Sequence, residues 1–376
     1  MCWKLKTPNG HEVIQLFEQF SPKSYAVEGD KIGLQVGRLN KPCKRVMVAL
    51  DVLESVVDEA IAEQIDLIIA HHPIIYRPLA SVLTEQPAGR LIEKLIKHDI
   101  AVYAAHTNLD VAKGGVNDML AGALGLEKTN VLVPTYEESL KKLVVFVPES
   151  HADTLRNALG KAGAGFLGNY SHCSFSHSGT GRFQPEEGAD PFIGNIGIVE
   201  AVSEERIETI YPARLEKKIL SAMLKTHPYD EVAYDILPLH NKGESLGLGR
   251  IGYLPEEMTL EQFARHVKES LESGGVRVVG DLTRSVKKVA VLGGDGNKYW
   301  RDAQRQGADV YVTGDFYYHT AQDADAEGLA VVDPGHNVEK IMKKGTAVYL
   351  SEMAKAKKFD VKFFASTTPT DPFQFI

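Results

Sequence analysis

The sequence predicts an α/β fold: a discontinuous outer domain of mostly parallel sheets and helices, interrupted by an inserted α+β domain of ferredoxin-like type. Three observations predict it. Short apolar runs such as Leu67–Ala70 read as strands buried on both faces, as a parallel sheet requires. Helix-periodic segments separate those runs, which is the βαβ rhythm. The texture of the chain changes twice, so that residues 1–127 and 247–376 read as two halves of one domain and 128–246 as a module set between them.

The elements follow in order. An amphipathic helix is expected within residues 1–20, with Asn9 as cap and Val13, Ile14, Leu16, Phe17 and Phe20 as its apolar stripe, ended by Pro22. Tyr25 to Pro42 reads as a structured loop with a short strand. Its glycines do not stand between a strand and a helix, so a GxGxxG nucleotide cradle is not expected. Arg45 to Asp51 is a strand and Leu53 to Gln64 a helix with Val56, Ala60 and Ile61 on one face. The strand Leu67–Ala70 runs into His71, His72 and Pro73; proline cannot donate to a ladder, so the strand ends there. A helix over Pro87 to His98, a strand over Ile100 to Ala105, the turn His106 to Asp110 and a helix over Val116 to Leu124 complete the first half.

In the middle segment, Lys141 to Pro148 is a strand and His151 to Ala162 a helix. Residues 163–199 are turn-rich with short strands; Arg206 to Tyr211 is a strand, Ala213 to Thr226 a helix, and a last strand begins near Val232. That order is a split βαβ module. The glycine-rich Glu244 to Leu254 is expected to be a hinge or tight turn returning the chain to its first domain. A helix over Thr259 to Leu271 precedes three strands, Val289 to Leu292, Ala308 to Val312 and Leu329 to Val332, with helices at Trp300 to Gln306 and Thr320 to Glu327 between them. The strands end in GGDG, TGDFYYH and DPGHNVE. A final strand and a proline-rich tail close the chain, and Phe373, Phe375 and Ile376 suggest that the tail packs.

Composition narrows the functional classes. Apolar residues make up 44% of the 376 residues and charged ones 24%, as in globular proteins. The formal charge of -8 argues against a general nucleic-acid surface. Three scattered cysteines, Cys2, Cys43 and Cys173, form neither a CxxC zinc knuckle nor a disulfide framework. The N-terminus lacks a long apolar run, so no membrane partner and a cytoplasmic location are expected.

Chemistry concentrates at strand ends. Open α/β sheets place their sites at the carboxyl ends of strands, here expected to share one edge of one sheet. Asp51, His71, His72, His106, Asp110, Asp315, His319, Asp333, His336 and Glu339 all fall at such ends. Mixed imidazole and carboxylate donors suit zinc, iron, manganese or cobalt rather than calcium. Adjacent residues diverge on an extended chain, so two nearby ions take one histidine each more easily than one ion takes both. If a helix opens after Pro334, His336 and Glu339 lie on one face of its first turn, and the two oxygens of Glu339 suit it to bridge two ions. His106 and His319 are the candidates for moving protons.

The segments GDKIGLQVG (29–37), IIAHHPIIY (68–76), AAHTNLDVAKGGVNDMLA (104–121), VAVLGGDG (289–296), DVYVTGD (309–315) and DPGHNVEK (333–340) resemble those of the GTP cyclohydrolase type 2 homologues, the Ngg-one-interacting-factor-three family. SHCSFSHSGTGRFQP and HPYDEVAYD resemble the longer bacterial members, which carry an extra PII-like and CutA-like domain. The resemblance implies two divalent metal ions per subunit and a toroidal homohexamer. It implies that His72 and Asp110 hold one ion, His71 and His336 the other, and Glu339 both. Short members space the last histidine and glutamate four apart; here the gap is three.

Three functions compete. The first is a metal-dependent hydrolase acting on a small-molecule substrate, a nucleotide or phosphoester, with GTP cyclohydrolase-type activity included. The second is a sensor or assembly module whose inserted domain binds a ligand or metal; His172, Cys173 and His177 are its candidate cluster, read first as incidental polar residues of a turn-rich strand. The third is a nucleic-acid-binding ring, against which the net acidity counts.

Overall fold

The computed structural model describes residues 5–376, so Cys2 lies outside the described residues. The chain divides into two compact units: residues 1–136 with 246–376, and residues 137–245. No helix among the described residues is long and apolar enough to cross a membrane.

The first half of the first unit contains helix α1 (Gly10–Phe20), strands β1 (Gly33–Val36) and β2 (Arg45–Ala49), helix α2 (Glu54–Ala62), strand β3 (Leu67–Ala70), helix α3 (Pro87–Lys97), strand β4 (Ala101–Ala104) and helices α4 (Thr107–Val111) and α5 (Val116–Ala123). Asn9 caps α1 in a capping box with Glu12. Strand β5 (Glu127–Pro148) leads the chain into the second unit, which holds α6 (Ala152–Ala162), β6 (Phe175–Phe183), β7 (Glu200–Pro212) and α7 (Glu216–Thr226). Strand β8 (Tyr234–Thr259) leads back. The second half then runs α8 (Leu260–Ser270), β9 (Arg277–Val279), β10 (Ser285–Asp295), α9 (Trp300–Arg305), β11 (Val310–Gly314), α10 (Tyr318–Ala326), β12 (Ala330–Asp333), α11 (Ile341–Ala356) and β13 (Lys362–Ala365).

Two sheets carry the first unit, where one was expected. One has the order β1-β4-β3-β2-β13; it is parallel except for β1, which runs antiparallel to β4. In the other, β8-β10-β11-β12-β9, only β10, β11 and β12 are mutually parallel, with antiparallel β8 and β9 on either side. This corrects the expectation of mostly parallel sheets to a mixed α/β fold. Strand alternation sorts the core. Val46, Val48, Leu67 and Ile69 from the first sheet, and Val289, Val291, Val310 and Val312 from the second, share one apolar cluster with side chains of α1, α5, α8 and α11. The opposite face of the first sheet packs on α2 and α3, and that of the second on α9 and α10.

The second unit is built on the antiparallel order β6-β7-β5. Leu143, Val145 and Val147 alternate along β5 and pack on Leu155 and Leu159 of α6 and Ile219 and Met223 of α7.

Two further expectations change. The stretch Glu244 to Leu254 is not a hinge but the middle of β8. Its glycines serve close approach: a Cβ at Gly247 would lie 1.9 Å from the Val133 carbonyl oxygen, and one at Gly252 2.8 Å from that of Glu127. The C-terminal tail does not bury its apolar residues, since Phe373, Phe375 and Ile376 are all exposed. The Phe375 ring lies over Gly274 and Gly275, where a Cβ would meet it within 2.5 Å.

Candidate metal centre

The buried strand β3 delivers His71 and His72 in register with the end of β2 and beside β4. Their backbone N–H groups donate to Ala49 and Leu50, which continues the ladder by two residues and fixes both side chains. Helix α4 starts at the end of β4 and carries Asp110. From the second sheet, β12 ends in Asp333, and a 3₁₀ helix, His336–Lys340, opens after Gly335. In a 3₁₀ turn residues i and i+3 eclipse. The three-residue gap therefore stacks His336 over Glu339 and brings their side chains together.

The imidazoles share one pattern. His71 Nδ1 lies 3.0 Å from the Ala105 carbonyl oxygen, His72 Nδ1 2.7 Å from Asp51 Oδ1, and His336 Nδ1 2.7 Å from Asp315 Oδ2. A carbonyl oxygen or an ionised carboxylate can only accept, so each Nδ1 donates and each Nε2 is left facing inward. All three Nε2 atoms point at the same oxygen, Glu339 Oε2, at 3.6 Å from His71, 3.1 Å from His72 and 3.2 Å from His336. Asp110 Oδ1 stands 3.6 Å from His71 Nε2. That distance is too long for a hydrogen bond.

Three groups of donor atoms lie within 4.8 Å of one another: His71, Asp110 and Glu339; His72, His336 and Glu339; and His71, His72 and His106. The first two share Glu339. They pair His71 with Asp110 and His72 with His336, a different pairing from the one the resemblance implied. His71 and His72 still fall into separate groups, as divergence on an extended strand requires.

Charge in the cluster is shared between Glu339 and the imidazoles around it. Burial opposes ionisation of Glu339, but His71, His336 and His72 outweigh it and hold its carboxyl well below the ordinary range. Burial likewise opposes a charged His72 ring, yet the hydrogen bonds to Asp51 and Glu339 raise it to about 10. The bond to Glu339 raises His336 to about 9 against burial. Asp110 moves up to about 6, chiefly through burial. The buried Glu339 carboxylate thus draws positive charge onto the imidazoles, and a bound cation would take the place of those protons. His71 Nε2 and Asp110 Oδ1 are also buried without any hydrogen-bond partner, which costs stability unless a ligand takes their lone pairs. The donor set and these two orphaned atoms both fit a metal.

His106 faces the same place. Its Nδ1 is 2.8 Å from Asp30 Oδ1, and Asp30 also accepts from the Thr107 N–H and hydroxyl. His319 is not brought to the cluster; it is exposed near the start of α10, with Nδ1 3.2 Å from Gln322 Oε1.

The family model for Duf34/NIF3 (NGG1p interacting factor 3) matches residues 8–372. The chain belongs to this family. A relative from Bacillus subtilis (strain 168), named GTP cyclohydrolase 1 type 2 homolog, is 62% identical over 371 residues, covering 99% of this chain and 100% of the relative. The crystal structure of a Bacillus cereus protein related to NIF3 is 62% identical and superposes with a TM-score of 0.95, over 99% of this chain and 100% of that one. A Staphylococcus aureus protein of known structure is 31% identical, with a TM-score of 0.76 over the same shares.

For this NIF3 protein, Asp30 and Asn117 are the site residues that sequence reasoning passed over. Asn117 donates to the Asp110 carbonyl at 3.0 Å and accepts from the Gly293 N–H at 3.0 Å, tying the end of β10 to the helix that carries Asp110. The glycines of GGDG have a steric role. A Cβ at Gly294 would lie 2.7 Å from Glu339 Oε1 and 3.2 Å from His336 Nε2, and Gly294 has a φ of +67°. Asp30 was within reach of the sequence, since it lies in the GDKIGLQVG segment that carries the family resemblance.

Proposed function

We propose that this chain is a dinuclear-metal protein that hydrolyses a nucleotide or another phosphoester, GTP cyclohydrolase-type chemistry included. The observation that carries the reading is the convergence of three inward Nε2 atoms on one oxygen of Glu339, with Asp110 alongside. His71, His72, Asp110, His336 and Glu339 would hold two divalent ions of zinc, iron, manganese or cobalt, with Glu339 common to both. Such ions activate water and stabilise charge on a leaving group. His106 is the proton carrier: Asp30 fixes its Nδ1–H and leaves Nε2 to accept or deliver a proton. His319 is not among the residues lining the adjoining cavity, so His106 is the one taken for that task.

The substrate class rests on the adjoining cavity of about 600 Å³, which includes Asp110, His336 and Glu339 in its wall. Lys31 and Lys298 offer cations for a phosphate, and Tyr76 and Tyr299 offer aromatic faces for a base. The family match and the fold support three accompanying proposals. Residues 128–246 form an inserted ferredoxin-like domain of PII/CutA type between the halves 1–127 and 247–376. The subunits close into a toroidal homohexamer. The protein works in the cytoplasm without a membrane partner, and its net acidity counts against a nucleic-acid partner.

The test is a turnover screen of nucleotides and phosphoesters on protein freshly loaded with Mn²⁺, Fe²⁺, Co²⁺ or Zn²⁺. Metal-dependent release of product that disappears in His106→Asn supports the reading. Bound metal with no turnover across the screen would leave a metal protein and remove the hydrolase.

A further inference from the structure

The second unit contains a cavity of about 720 Å³, lined by Phe146, Phe183, Phe192, Glu204, Tyr229 and Glu231 among others. Its walls are aromatic. Phe183 and Tyr229 stand 5.6 Å apart between ring centroids, and Phe192 and Tyr229 6.5 Å. Glu204 is 8% exposed, and its Oε1 accepts from the Tyr229 hydroxyl at 2.9 Å. Strand pairing explains how a carboxylate comes to lie there. Glu204 on β7 sits opposite Gly179 on β6, and its side chain leans over the next glycine on that face, where a Cβ at Gly181 would come within 2.1 Å of Oε2.

This carboxylate has no cation. Among the described residues only the Tyr229 hydroxyl donates to it, and no Lys, Arg or His forms an ion pair with it. His227, the nearby ring, bonds Phe146 O through Nε2 and accepts from the Tyr229 N–H through Nδ1, so it is neutral, and burial lowers its pKa further. Arg182 also lines the cavity but forms no ion pair with Glu204. The second oxygen, Oε2, takes no hydrogen bond among the described residues and is not sealed from the cavity, so a charged donor on a ligand can reach it. Glu186, Glu187, Asp230 and Glu231 also line the cavity and repel phosphates and carboxylates.

We infer that this cavity is a binding site for a small organic cation that bears an ammonium or guanidinium group. The N–H donors meet Glu204 Oε2, and the carbon body and charge lie against the faces of Phe183, Phe192 and Tyr229. The volume is that of a small-molecule site. It is separate from the chemistry proposed for the other unit, because every residue named lies within 137–245.

The test is isothermal titration of the full-length protein with agmatine and with spermidine, tetramethylammonium and MgCl₂ being the comparators. Agmatine or spermidine is expected to bind once per chain, at least tenfold more tightly than tetramethylammonium, which has no N–H to offer Glu204. Glu204→Gln keeps an acceptor for Tyr229 and is expected to weaken binding at least tenfold. Phe192→Ala alters a half-exposed loop residue, leaves folding intact, and is expected to weaken binding about fivefold. Glu339→Gln, in the other unit, is expected to change nothing. The inference is overturned if neither amine binds, if MgCl₂ displaces the amine at equal concentration, or if binding is lost in Glu339→Gln. Should Glu204→Gln fail to fold, wild-type affinity in both Phe192→Ala and Glu231→Gln would overturn it equally.

Discussion

Two stretches of this chain set histidine beside other metal-ligand residue types, and the fold treats them in opposite ways. His71, His72, His106 and His336 reach one small volume from three loops, each with its Nδ1 tied, and the Nε2 atoms of His71, His72 and His336 are turned toward Glu339. His172, Cys173 and His177 lie close in sequence but do not form a donor group among the described residues. His172 bonds the neighbouring Ser171 hydroxyl, His177 is exposed, and Cys173 Sγ faces the Ser171 carbonyl at 4.0 Å. The difference is topological. Parallel strands bring segments far apart in sequence to one edge, whereas His172 and Cys173 precede the edge strand β6 and His177 lies on it. Placement on the sheet, not density of histidine, brings candidate ligands together.

The strongest way to break this comparison is to remove the shared oxygen. Glu339→Gln keeps the size and removes the charge, so elemental analysis after dialysis against trace chelator should fall from about two ions per chain to nearly none. His71→Ala should leave about one. Wild-type metal content in Glu339→Gln would mean that the glutamate only supports its helix. If turnover is found, Asp30→Asn should lower kcat by about 10²–10⁴-fold while metal content stays unchanged, because it disturbs the proton carrier and not the ligands. Equal losses of metal and rate would instead make His106 a ligand.

A subtler change tests whether the backbone shapes the centre. Gly294→Ala places a Cβ against Glu339 at a left-handed φ and should cost about 1–3 kcal/mol. Thermal unfolding and metal content should both fall; an unchanged Tm would show that Glu339 has room to move.

Much of this candidate site was legible because its placement obeys one rule. An apolar run followed by a polar loop marks the carboxyl end of a parallel strand, and that rule finds His71, His72, His106, His336 and Glu339, with Asp110 one short helix further on. Asp30 escaped it for a physical reason. It precedes β1, which is antiparallel to β4 with Gly33 opposite Ala104, so the start of β1 lies where the parallel strands end. Asn117 escaped because a buried asparagine inside a helix has no sequence signature. The second sheet was misjudged because β8, antiparallel to β10, is rich in glycine, and glycine read as a hinge rather than as close strand contact.

The two stretches differ also in their support. Behind His72 stands Asp51, and Asp51 Oδ2 accepts from the Thr370 hydroxyl at 2.6 Å. The segment bearing Thr370 is held by Glu59, which accepts from Ser366, Thr367 and Thr368. Burial raises the Glu59 pKa, but those hydrogen bonds outweigh it and lower the carboxyl from 4.5 to about 2. A depressed carboxyl gives stability that is complete above 4.5 and is lost as pH falls from there through about 2. Glu59→Gln should therefore lower Tm at pH 7 and converge on wild type as pH approaches 2. A gap in Tm that persists at pH 2 would assign the effect to packing. The smallest effect is expected for Cys173→Ser with His172→Ala, which should leave metal content unchanged; loss of an ion would give the second stretch a centre of its own.

The 3₁₀ turn at His336–Lys340 couples helix type to sequence spacing. At three residues per turn a gap of three aligns the ligands, while an α turn at 3.6 aligns gaps of three or four only obliquely. A one-residue insertion between histidine and glutamate need not destroy such a centre, because rewinding the first turn from 3₁₀ to α recovers the alignment. In aligning this chain with any sequence whose gap is four, the two candidate ligands should be matched to each other and the extra residue placed inside the turn. The length difference then marks a change of helical pitch and not a lost ligand.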